Sequence, residues 1–64
     1  MATNIRLRTA RVARGLTQLK LAEAVGLKEI AISRIETGRS TPDAETKQRI
    51  SIFLEKSVIE LFPN

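Results

Sequence analysis

Three glycines, Gly15, Gly26 and Gly38, cut the first two thirds of this chain into stretches of about a dozen residues or fewer. Glycine adopts the left-handed backbone that ends a helix at little cost, so each one reads as a stop signal. Start signals stand opposite them. Thr3 or Asn4 can cap a first helix that runs to about Arg14, with Leu7, Ala10, Arg11 and Arg14 at the spacing of one face. Thr17 caps a second helix, Gln18 to Val25. A third runs from Lys28 or Glu29 to Glu36 or Thr37. Beyond Pro42, Asp43 caps a fourth from Ala44 to about Leu54. Ser57, with Glu60 three residues later, makes a capping box for a last turn from Val58 to Phe62, followed by Pro63-Asn64. No alternating strand pattern competes. The expected fold is all-α, a compact single domain over residues 1–64 built from about five short helices, with no repeat or linker.

What such a small domain can do is narrowed by what it lacks. The sequence contains no Cys and no His. Disulfides, thiolate zinc sites and the usual hydrolase triads are therefore excluded, and no metal or cofactor is expected. The carboxylates are spread singly over different helices, which argues against an enzyme. No apolar run approaches the ~20 residues that span a bilayer, and no signal-like N-terminal stretch is present, so no membrane partner and a cytoplasmic location are expected. The net charge is +4, and it is unevenly placed. Residues 1–40 carry eight Lys and Arg against three Glu, whereas residues 41–64 carry three basic against four acidic residues. An anionic partner for the first part fits this asymmetry.

The second and third helices hold the most specific pattern. Apolar residues stand at Leu21, Val25, Leu27, Ile32 and Ile35, with small Ala22 behind the first and Gly26 at the turn. Two helices that cross at ~90–120° over a short turn need close backbone approach at the crossing and a left-handed corner. Ala22 and Gly26 supply them. The five apolar residues then face the first helix. At 100° per residue, Ile32 and Ile35 point one way while Ile30, Ser33, Arg34 and Thr37 point roughly the other, with Lys28 and Glu29 at the exposed N-terminal end.

These residues belong to a longer ordered set: Arg11, the run Gly15-Leu16-Thr17-Gln18, Leu21-Ala22, Gly26, Ile32-Ser33-Arg34-Ile35-Glu36, Gly38, Pro42 and Glu60-Leu61-Phe62. Taken together, the chain resembles the Cro/phage-repressor (XRE) family of helix-turn-helix DNA-binding proteins over nearly its whole length. The resemblance implies a five-helix lambda-repressor-like domain whose third helix enters the major groove of double-stranded DNA. Arg34 is then the best candidate for a bidentate contact to guanine. Ile30 suits a thymine methyl, Glu29 a cytosine amino group, Lys28 a base or a phosphate, and Ser33 shares their face. Plainer roles stay open for Glu29, which also suits the helix dipole, and for Ile30 as an ordinary exposed aliphatic.

Phosphate contacts are expected beside these. The resemblance puts Gln18 on the sugar-phosphate backbone, and likens Arg39, Ser40 and Thr41 to the family's backbone-gripping loop; Thr37 adjoins them. It also implies a partly buried ion pair between Arg11 and Glu36 that fixes the helix angle. Three features depart from the family pattern. Lys28 stands where Ser or Thr usually caps the third helix. Lys47 replaces a buried aliphatic, beside an Ala44 smaller than usual. Ile52 and Phe53 occupy places that are commonly polar or small. Phe53, Leu54 and Leu61 are expected inside, and Ile52, Val58, Ile59 and Phe62 are the candidates for a dimer interface. The expected function is a dimeric repressor acting by occupancy, with no small-molecule ligand evident. The alternative is a protein-interaction module on the same fold, such as an antitoxin or a regulator subunit.

Overall fold

The computed structural model describes residues 3–63; Asn64 lies outside the described residues. Five helices follow one another: α1 (Ile5–Ala13), α2 (Gln18–Val25), α3 (Glu29–Glu36), α4 (Ala44–Leu54) and α5 (Val58–Leu61). No strand occurs among the described residues. The helices wrap into a near-spherical body of 24 × 22 × 21 Å.

Side-chain oxygens start four of the five helices. Asn4 accepts from the Leu7 amide, Thr17 from Lys20, Asp43 from Thr46 and Ser57 from Glu60. Each satisfies one of the amides left without a partner in a first helical turn. Asn4, rather than Thr3, is thus the cap of α1. Hydrogen bonds from the side chain and the backbone amide of Thr46 hold the Asp43 carboxyl below its ordinary range. Ser57 does the same for Glu60, whose carboxylate accepts from the Ser57 amide in a complete capping box. Lys28 gives α3 no side-chain cap.

The core joins all five helices: Leu7 from α1, Leu21, Ala22 and Val25 from α2, Ile32 and Ile35 from α3, Ile50 and Leu54 from α4, Leu61 from α5, and Phe62 just after it. Gly26 takes φ +74° between α2 and α3. That corner lets Leu27 turn back, its amide bonding to the Ala22 carbonyl at 2.8 Å.

Several expectations shift here. α1 ends at Ala13, and Arg14 is its exposed C-cap rather than a member of the inward face. Arg14 instead lies over the Phe53 ring, 5.8 Å from its centroid, and Phe53 is half-buried rather than fully inside. The inward stripe of α4 is Lys47, Ile50, Ser51 and Leu54, the i, i+3, i+4, i+7 spacing of one face. Ile52 therefore faces solvent, 71% exposed. Phe62, expected at an interface, is 8% exposed and belongs to the core. The half-buried Lys47 explains this, since its ammonium lies 5.7 Å from the Phe62 ring centroid. A lysine stem with its charge over an aromatic face covers that ring as an aliphatic would.

Candidate nucleic-acid interface

The architecture around α3 begins with one buried charge. Glu36, 3% exposed at the last turn of α3, faces Arg11, 8% exposed on α1. Arg11 Nε donates to Glu36 Oε2 at 2.6 Å and Nη2 to Oε1 at 3.1 Å, a two-pronged pair. The third arm of the guanidinium, Nη1, donates to the Leu16 carbonyl at 2.6 Å, in the loop before α2. Hydrogen bonding to Glu36 raises Arg11 above its ordinary pKa, although burial opposes it. Glu36 is held from two further sides. Gln18 Nε2, at the first residue of α2, donates to Glu36 Oε1 at 3.1 Å. The Asn4 amide donates to the Glu36 backbone carbonyl at 2.9 Å, while Asn4 Nδ2 donates to the Leu61 carbonyl at 2.9 Å. A single residue at the end of α3 thereby fixes α1, α2 and the start of the chain's described part against it.

This anchoring leaves the outer side of α3 free. Lys28, Glu29, Ile30, Arg34 and Thr37 are exposed, and Ser33 is half-buried beside them. Arg39, Ser40 and Thr41 continue the exposed surface past Gly38, where φ is +79°. The turn is tight: the amides of Arg39 and Ser40 both bond to the Arg34 carbonyl, at 2.9 and 3.2 Å. Apart from Gln18 on α2, the residues expected at bases and those expected at phosphates therefore adjoin on one stretch of chain. Among the described residues, Lys28, Arg34 and Arg39 form no ion pair with any carboxylate, unlike Arg11, Arg14 and Arg49. The Thr37 hydroxyl is occupied differently, donating to the carbonyls of Ser33 and Arg34 at 2.9 and 3.3 Å. Gln18 also departs from a simple surface contact, being half-buried with one amide hydrogen already committed to Glu36.

Comparison with known proteins bears on the same segment. A family model described as helix-turn-helix matches residues 7–61, which takes in every helix except the first two residues of α1. This chain belongs to the XRE family of helix-turn-helix proteins. Among solved structures, the helix-turn-helix protein is similar to the restriction-modification controller protein C.AhdI from Aeromonas hydrophila, at 32% identity and a TM-score of 0.82, with 89% of this chain and 86% of that chain covered. No curated protein matches it. The family and this likeness make it a DNA-binding transcriptional regulator.

Two of its tertiary contacts could not be read from the residue pattern. Asn4 bridges α3 to α5 through its backbone and its side chain, and the Gln18 amide turns inward to Glu36. The preference of Asn for capping positions hinted at the first, but the tertiary partner depends on how α5 folds back. Among the described residues there is no group of three or more metal-ligating side chains, and no helix is long and apolar enough to cross a membrane.

Proposed function

We propose that this helix-turn-helix protein is a homodimeric, sequence-specific repressor that lays α3 in the major groove of duplex DNA. The observation that carries the reading is the set of exposed cations Lys28, Arg34 and Arg39, unpaired among the described residues and displayed on and just beyond a helix whose opposite face is locked to α1. Charges that have no ion-pair partner among the described residues are available to phosphates and base edges. In this reading Arg34 forks onto guanine, and Lys28, Glu29, Ile30 and Ser33 complete the base-reading face. Arg39, Ser40 and Thr41 take phosphates, with Gln18 and Thr37 beside them. Ile52, Val58 and Ile59 remain exposed and supply the apolar surface for a second copy; Phe62 does not, being part of the core. Two copies would present recognition helices to half-sites about one helical turn, ~34–36 Å, apart. The likeness to a restriction-modification controller supports control of such a gene set as the role.

The salt dependence of duplex binding tests this. Several phosphate contacts per dimer release bound counterions, so affinity is expected to fall by ~10³-fold or more between 50 and 200 mM salt. A flat dependence, or no duplex binding at all, would favour a protein-interaction module on the same fold.

A further inference from the structure

The structure assigns Glu36 a second task beyond the ion pair with Arg11: it is a positioning residue that orients the side-chain amide of Gln18 for the DNA backbone. The inference rests on the DNA-binding reading and deepens it. An ionised carboxylate only accepts hydrogen bonds, so the end of an amide that approaches it must be the nitrogen. Gln18 Nε2 sits 3.1 Å from Glu36 Oε1. That contact decides which way the amide faces, a choice that is free for an unpartnered surface glutamine. One Nε2 hydrogen is used; the second, and the oxygen Oε1, remain for an outside partner.

The location gives the orientation its use. Gln18 is the first residue of α2, directly after the Thr17 cap, where unpaired backbone amides and the helix dipole favour an anion. Glu36 is itself immobilised. Oε1 accepts from Arg11 Nη2 at 3.1 Å and Oε2 from Arg11 Nε at 2.6 Å, and the residue is 3% exposed. A rigid acceptor behind a half-buried amide reduces the freedom that Gln18 would lose on gripping a phosphate, and preorganisation of this kind strengthens binding without a new contact. The chain of hydrogen bonds therefore runs from the proposed phosphate through Gln18 and Glu36 to Arg11 and the Leu16 carbonyl. It ties the entry of α2 to the exit of α3, the two ends of the unit that must meet DNA together.

A double-mutant cycle on duplex binding reads this coupling. Gln18→Ala is expected to weaken binding to any duplex about tenfold, the scale of one hydrogen bond to a charged group. In a Glu36→Gln background the further loss from Gln18→Ala should shrink to less than about threefold, because the amide has already lost its fixed direction. Equal losses in both backgrounds would overturn the inference, since Gln18 would then act without Glu36. So would no loss from Gln18→Ala in the unchanged background while Arg39→Ala still weakens binding; that result leaves the DNA-binding reading standing. Failure of the unchanged protein to bind any duplex would remove both. If Glu36→Gln does not fold, relaxation of the Gln18 side-chain amide in the intact free protein decides: an order parameter close to the backbone's ~0.85 supports positioning, and one below ~0.6 contradicts it.

Discussion

Arg34 and Arg39 lie five positions apart and carry the same charge, yet their places on the proposed DNA-facing surface suit different work. Arg34 stands on the exposed face of α3, and Arg39 in the tight turn after it, its amide bonded to the Arg34 carbonyl. Arg34→Ala is expected to cost ~1–3 kcal/mol on the preferred site and to relax preference at one base pair, while Arg39→Ala weakens all sequences alike and lowers the salt slope by about one. Titration of each variant against the preferred and a random duplex separates the two; equal losses on both duplexes for Arg34→Ala would remove it from base reading. The exposure of these side chains was legible in the sequence, because the residues of α3 sit at spacings that a helix brings to one side. The parts that were not legible depend on contacts between distant segments. Phe62 could close the core or cover a neighbour, and only the position of Lys47 over its ring settles which. The direction of the Gln18 amide likewise follows from where the end of α3 meets the start of α2.

The helices themselves were written plainly, since caps and glycines are local signals that tertiary packing did not override. Thr17, Asp43 and Ser57 each start the helix expected of them, and α2 and the body of α3 fall where their stops place them. The end of α4 lacks such a signal. Its last residue is Leu54, and the reversal is made by Glu55 at φ +56°, among the described residues the one non-glycine with a left-handed backbone. An L-residue there carries a penalty of ~1–2 kcal/mol that glycine avoids, offset in part by glycine's greater freedom when unfolded. Glu55→Gly is therefore expected to stabilise the fold by up to about 1 kcal/mol, read as a higher midpoint of thermal unfolding. The exposed pair it removes, Arg14 Nη1 to Glu55 Oε2 at 3.5 Å, contributes little in water. A lowered midpoint would show that Glu55 has a favourable role its geometry does not explain.

At the scale of the molecule, 64 residues enclose one core with no disulfide to reinforce it. Domains this small hold only ~3–5 kcal/mol in a single core, so burying further apolar surface in a second copy has a physical motive. Ile52 and Ile59 are 71% and 72% exposed, on α4 and α5. The unchanged protein is expected to sediment as a dimer, and the variant with both Ile52→Asp and Ile59→Asp to keep its helical spectrum, sediment as a monomer and bind DNA more weakly; unaltered sedimentation would place the interface elsewhere. The charge distribution gains meaning at the same scale. Of the eight basic residues in positions 1–40, Arg11 is buried in the ion pair with Glu36, and Arg14 covers Phe53 and meets Glu55. Fewer positive groups face DNA than the pI of 10.4 implies. Sequence-specific duplex recognition through the exposed face of α3 is put to the test by selection of bound duplexes from a random pool. The expected result is a pseudo-palindromic motif whose half-sites lie about 10 base pairs apart, with one position losing its preference when the selection is repeated with Arg34→Ala; a pool that stays random after repeated rounds, or a motif that Arg34→Ala leaves unchanged, would contradict recognition through α3.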